Sequence, residues 1–436
     1  MSVPRFAIVG HPNKGKSSIV ATLAEDDAVA ISPHPGTTTQ SRAYPMRLDG
    51  ETLYELIDTP GFQRARETLA WLEAHDRGAG ERAAVVREFA AAHAADPRFK
   101  DECELLKPIL DGAGILYVVD GSRPYGRHYE AEMEVLRWTG RPRMALINLI
   151  STGDHVEEWR AALAQYFSIV RVFDAVRADF GKRIDLLRAF GAIDESWAAP
   201  LTRATDALEA DREWRRHAAA AEIGELLIDS LSATVAVQLA TSQADAAALT
   251  SGRSKLQERV RRRERDSRRT VQEIYRHASL AIDESTAAYL VADVFSEQSF
   301  SVFGLSAGQL ALTGAASGAV AGTLAGAGRL AKVSVLGQPV GGYELRVGPI
   351  TDPNFPWVLL GRALLHANLV AERNHARRES LALDAHAGAH LADGINAEKR
   401  RELDGMFRRL RNEREVDAAD RGALTETIVE LFDAPR

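Results

Sequence analysis

The sequence predicts an α/β domain with a mostly parallel sheet flanked by helices, followed by a mainly helical second half. Three observations carry this. Short apolar runs alternate with helical patterns through the first part of the chain. A glycine- and lysine-bearing turn joins the first apolar run to the first helical pattern. After residue 195 strand-like runs give way to long stretches rich in Ala, Glu and Arg.

The strands are expected at 6–9, 44–48, 53–57, 115–119, 144–147 and 169–173, most of them followed by a helical pattern. The segment 63–110 is Ala-rich and charged, and a structureless loop of that length is rare inside a domain. It reads as a helical insertion in a domain spanning 1–195. The second domain is expected over 196–436, with helices at 197–239, 255–290, 355–383 and 397–432. It contains a basic helix at 253–277, a Gly-rich helix at 300–328 and a small hairpin near 332–349, where Gly341 and Gly342 suggest a turn.

Composition narrows the function. The 436 residues are 45% hydrophobic and 26% charged, which is globular. A net charge of −7 argues against coating nucleic acid through bulk charge. The single cysteine, Cys103, excludes an intramolecular disulfide framework and a Cys-only metal site, and fits a reducing compartment. MSVPRFAIVG has no charged region leading into a long apolar run, so no secretory leader is expected. The histidines, His366 and His375 among them, form no zinc-like spacing and read as packing or surface residues.

The chemistry concentrates in three motifs. The first, residues 10–17, reads GHPNKGKS and matches G-x-x-x-x-G-K-[ST] between a strand and a helix. Gly10 and Gly15 let backbone N–H groups approach phosphate oxygens, Lys16 compensates β/γ-phosphate charge, and Ser17 offers a hydroxyl to Mg²⁺. The second is Asp58-Thr59-Pro60-Gly61 at a strand end, where the aspartate can hold Mg²⁺ through water and Gly61 can offer its N–H to a γ-phosphate. The third, residues 35–39, reads PGTTT and can close on the metal and the γ-phosphate.

In this order the motifs resemble a small GTPase domain of the TRAFAC class, close to its Era-like branch, over about residues 4–190. The resemblance implies a P-loop NTPase fold, GTP/GDP binding and slow Mg²⁺-dependent hydrolysis that works a molecular switch. It places Gly10, Asn13, Lys14, Gly15, Lys16, Ser17 and Ser18 around the phosphates. Ser17, Thr38 and Asp58 fall on the metal, and Lys16, Thr38 and Gly61 carry the catalysis. Phe62 stands where related proteins put a water-orienting glutamine, and its ring cannot do that. Asn13 stands where potassium-activated members carry a K⁺ ligand, and it equally serves to shape the turn.

Base recognition departs from the pattern. The family's N-K-x-D is here Asn148-Leu149-Ile150-Ser151, so only Asn148 matches. Ala175 matches the second, smaller base-contacting element. Asp154 would need a remodelled loop to replace the missing carboxylate. GTP is the first choice, with ATP or relaxed specificity the alternative.

Partners are expected from the second half. Residues 253–277 hold ten Lys/Arg against four Asp/Glu, with Leu256, Val260, Val271 and Ile274 as a thin apolar seam. A solvated self-paired helix, an anionic membrane surface and RNA or ribosome contact are the three readings, the last the least favoured. Residues 298–328 carry no charge, and Gly314, Gly318, Gly322 and Gly326 share one helical face. Such spacing lets two helices approach closely, which suits a buried helix or membrane contact, with a flexible linker as the third reading; a homodimer is a further partner expectation. The expected location is the cytoplasm, with peripheral contact at the inner membrane as an extension. An alternative function is a non-hydrolysing nucleotide-binding interaction module. Stretches 303–306, 341–349 and 352–362 resemble an uncharacterised domain that follows an Era-like G domain in proteobacterial proteins.

Overall fold

The computed structural model describes residues 3–26, 29, 38–240, 245–277, 280, 292–306, 309, 329–335, 338–377, 395–412 and 416–432. Two compact units divide it: residues 1–212 with 372–378, and 213–371 with 379–436.

The first unit is built on a six-stranded sheet. Its strands are β1 (Arg5–Val9), β2 (Arg42–Leu48), β3 (Glu51–Asp58), β4 (Gly114–Asp120), β5 (Arg143–Asn148) and β6 (Val170–Val172), in spatial order β2-β3-β1-β4-β5-β6. Only β2 runs antiparallel to its neighbour. Strict alternation along β1 sends Phe6 and Ile8 to one face and Ala7 and Val9 to the other, and both faces are covered. Helices α1 (Lys16–Ala24) and α7 (Phe180–Gly191) supply the core on the first face. On the opposite face lie α2 (Ala65–Ala74), α3 (Arg82–Ala92), α4 (Lys100–Leu110), α5 (His128–Trp138) and α6 (Val156–Leu163). Each fully buried large side chain in these layers, such as Phe89 or Trp159, contributes about 1.5–3 kcal/mol. The segment 63–110 is thus helical, with a single 3-10 turn at Pro97–Phe99.

α8 (Glu195–Leu231) spans the boundary between the units, which falls between Arg212 and Glu213. The second unit is mostly helical: α9 (Ala246–Ile274), α10 (Glu297–Phe303), α11 (Phe355–Ala371), α12 (Ala397–Asn412) and α13 (Ala418–Phe432). Its core joins Ile223 and Leu227 of α8, Leu256 and Val260 of α9, Trp357 and Leu364 of α11, Phe407 of α12 and Ile428 of α13.

A three-stranded antiparallel sheet of β7 (Val235–Leu239), β8 (Arg329–Val335) and β9 (Gln338–Val347) sits in the same unit, in the order β7-β9-β8. Three local expectations differ from the structure. Residues 235–239 form a strand rather than the end of a helix, because Val235, Val237 and Leu239 alternate with Ala236 and Gln238 and pair with β9. Gly341 and Gly342 lie inside β9 rather than at a turn, and Val335 of β8 pairs with Gln338 of β9. His375 likewise follows α11 instead of lying on a helix. The Gly-rich stretch 310–328 lies outside the described residues. Among the described residues no helix is long and apolar enough to cross a membrane.

Candidate functional site

Residues 10–17 join β1 to α1 at the carboxyl edge of the sheet. Gly10 adopts φ 141°, and a Cβ there would stand 2.4 Å from the Val118 carbonyl oxygen. Asn13 at φ 61° and Gly15 at φ 79° are left-handed, which curls the backbone into a concave loop. Gly15 caps α1 without a side chain, and the first turn carries no acidic residue. The free N–H groups and the helix dipole therefore present positive potential to an anion.

Lys16 is buried, with Nζ 3.3 Å from the Gly10 carbonyl and 3.2 Å from that of His11. Burial pulls its pKa down, while Asp58 and then Glu132 oppose the shift. Lys14 is buried too, but its Nζ lies 3.7 Å from Asp120 and near the Tyr129 ring. Its backbone shapes the loop while its side chain points toward the end of β4. Asn13 is exposed, and Ser18 follows half-buried on α1.

Three expected metal residues come together. The Ser17 hydroxyl donates to Asp58 Oδ2 at 2.8 Å and the Thr38 hydroxyl donates to the same oxygen at 3.0 Å. Asp58 is 4% exposed, and its Oδ1 has no hydrogen-bond partner among the described residues. Burial raises its pKa, partly offset by Ser17, Lys16 and Thr38. This cluster of hard oxygens around a buried carboxylate with an orphan atom suits Mg²⁺.

Gly61 packs on Pro12, so closely that a Cβ would stand 2.6 Å from the Pro12 nitrogen. The following N–H, of Phe62, donates to the Gly10 carbonyl at 3.3 Å. The Phe62 ring is buried in the core with Ala65 and Leu72. The chain leading into α2 is held by Glu102 of α4, whose Oε1 accepts the N–H groups of Gln63 at 2.8 Å and Arg64 at 2.5 Å. Glu104, on the same helix, holds Ser41 through its carbonyl at 2.6 Å. The inserted helix thus grips the backbone on both sides of the Thr38–Asp58 pair.

Asn148 ends β5 and joins two loops. Its Nδ2 donates to the Lys14 carbonyl at 3.1 Å and its Oδ1 accepts the Ala175 N–H at 3.1 Å. Leu149 turns toward Gly121. The Ser151 hydroxyl donates to Ser122 at 2.8 Å, and Ser122 in turn donates to Asp120. Asp154 is exposed and accepts the Val156 N–H at 3.3 Å, at the start of α6.

Several neighbours escaped sequence reasoning. His11 Nδ1 lies 2.8 Å from Glu132 of α5, and the Tyr117 hydroxyl donates to the other Glu132 oxygen at 2.9 Å. Glu102 and Glu132 are both fully or nearly fully buried. A charged residue at an inward position of an amphipathic helix was their available signal.

The family model described as "50S ribosome-binding GTPase" matches residues 5–148. The model described as "Domain of unknown function (DUF3482)" matches 160–344 and 316–431, together more than half of the chain. Among curated proteins, GTPase Der of Pseudothermotoga lettingae is 25% identical over 45% of this chain and 40% of its own length. GTPase Der of Aromatoleum aromaticum is 48% identical over 16% of each chain. The chain thus spans less than half the length of these relatives. Among solved structures, Era in complex with MgGDPNP and a piece of 16S ribosomal RNA has 18% identity, covers 44% of this chain and 57% of its own, and has a TM-score of 0.31. The chain belongs to the DUF3482 family, with that domain following a GTPase domain of the 50S ribosome-binding GTPase type.

Proposed function

We propose that the chain binds GTP with Mg²⁺ and hydrolyses it slowly, as a switch whose state is passed to the second unit. The convergence of the Ser17 and Thr38 hydroxyls on Asp58 carries this reading. Ser17 would hold Mg²⁺ directly, Thr38 would close on it, and Asp58 would hold it through water. When bound, the ion neutralises charge on the β- and γ-phosphates. The loop N–H groups from Asn13 to Ser18 orient the phosphates. Lys16 exchanges its contacts with the Gly10 and His11 carbonyls for phosphate oxygens. The Gly61 N–H faces the γ-phosphate.

Phe62 is committed to the core and does not orient water, so intrinsic turnover is slow. An exposed Asn13 leaves room for K⁺ activation, which predicts a faster rate in K⁺ than in Na⁺. Asn148 and Ala175 would serve the base edge, but Ser151 offers one hydroxyl where a carboxylate would accept two N–H groups. Guanine preference is therefore modest.

A second reading, a non-hydrolysing nucleotide-dependent interaction module, is favoured by that same loss and by Phe62. Pairing of α9 arginines with carboxylates of α8, Asp293 and α9 itself favours a packed, charge-compensated helix over a membrane or RNA surface. Arg261 binds Asp293 at 2.7 Å, Arg263 binds Glu222 at 2.6 Å and Asp229 at 2.7 Å, and Arg265 binds Glu258 at 2.9 Å.

Equilibrium titration with labelled GTP and ATP tests the nucleotide reading. The parent is expected to bind GTP, and Lys16→Ala to weaken it by about 10–100-fold. Equal binding by parent and variant contradicts the reading.

A further inference from the structure

The segment 372–378 follows α11 of the second unit yet belongs to the first. Arg373, Asn374, His375 and Ala376 are buried there, and Ala376 joins the core shared by α1 and α7. The Asn374 amide is fully engaged. Its Oδ1 accepts the Ala376 N–H at 2.9 Å and its Nδ2 donates to the Ala178 carbonyl at 3.0 Å. Those two backbone groups fix which end of the amide is which.

The Thr22 hydroxyl stands 2.7 Å from Asn374 Oδ1 and 2.7 Å from the Ala175 carbonyl, and its single proton serves one of them at a time. Thr22 is fully buried. Both ends of the turn 175–178 are therefore tied to Thr22 and Asn374. The same turn offers the Ala175 N–H to Asn148, which holds the phosphate loop. Hydrogen bonds this deep hold geometry strictly, because a lost partner leaves a polar group without water.

We propose that Asn374 is a positioning residue for the base-side wall of the nucleotide site, so that base binding depends on a residue supplied from beyond α11. The inference rests on the nucleotide reading above and adds to that site a support drawn from residues that follow α11 in the chain. Asn374 touches no phosphate-loop atom. Its effect should reach the nucleobase more than the phosphates, because the route meets the phosphate loop at the Lys14 carbonyl, through Asn148.

The test compares full-length parent, Asn374→Asp and Thr22→Val by calorimetric titration with GTP and with tripolyphosphate, which has no base, both with Mg²⁺. Asn374→Asp keeps the shape but replaces the donor facing the Ala178 carbonyl with an acceptor. It is expected to weaken GTP about tenfold while changing tripolyphosphate less than about twofold. Thr22→Val should shift the same ratio, and it carries the test if Asn374→Asp fails to fold. Unchanged GTP affinity overturns the inference, and so does an equal loss for both ligands, which marks a merely structural contact. A parent that binds neither ligand overturns the nucleotide reading and this inference with it.

Discussion

At the residue scale, Asp58 carries the tension that makes the site chemical. Its carboxylate is buried, accepts two hydroxyls on one oxygen and, among the described residues, has no hydrogen-bond partner for the other. A group whose folded pKa is raised favours folding when protonated, and it loses that contribution as pH rises through the folded pKa. At neutral pH the ionised form therefore costs the ligand-free protein stability, which a bound cation would offset. Asp58→Asn is expected to raise the melting temperature of the ligand-free protein, worth about 1 kcal/mol, while weakening Mg²⁺-dependent nucleotide binding. Thermal unfolding with and without Mg²⁺ and nucleotide checks both halves. Gly10, Gly15, Lys16, Ser17 and Asp58 were legible because glycine, lysine and hydroxyl chemistry at fixed spacing has few other uses. Glu102, Glu132 and Asn374 were not. Their partners lie 38 or more residues away for Glu102, 121 for His11 with Glu132, and 352 for Thr22 with Asn374. No local pattern records such pairs.

At the element scale, strands were read closely because apolar runs buried on both faces leave a continuous signature, as in β4 and β5. β7 was hidden because an Ala-rich helix precedes it and its partner β9 is far along the chain. α9 shows how charge counting misleads. Arg261, Arg263, Arg265, Arg268 and Arg269 are spent on carboxylates of α8, Asp293 and α9 itself, and Glu264 meets both Arg268 and Arg362. Beside that cluster His366 of α11 is buried and unpartnered at Nε2, among the described residues. Burial first, then Arg268, holds its pKa down to about 3. A depressed histidine contributes stability in full above its unfolded pKa, near 6.5, and loses it as pH falls toward about 3. His366→Leu is expected to flatten the acid limb of the stability profile between about pH 6.5 and 4. Denaturant unfolding across that range measures it, and an unchanged slope contradicts it.

At the scale of the whole molecule, an opening P-loop domain and a helical remainder were legible from the change in pattern near residue 195. The division of the chain into units was not, because compactness puts 196–212 and 372–378 with the first unit. A contiguous reading has no means to find a segment that returns after 160 residues or so of another fold. What joins the scales is the claim that Ser17, Thr38 and Asp58 form a Mg²⁺-dependent phosphate site that turns over GTP. Single-turnover phosphate release from GTP, run with Mg²⁺ and with a chelator for the parent and Ser17→Ala, tests it most directly. Slow release that needs Mg²⁺ and falls at least about tenfold in Ser17→Ala is the predicted result. Release that is indifferent to Mg²⁺, or equal in the two proteins, would contradict it.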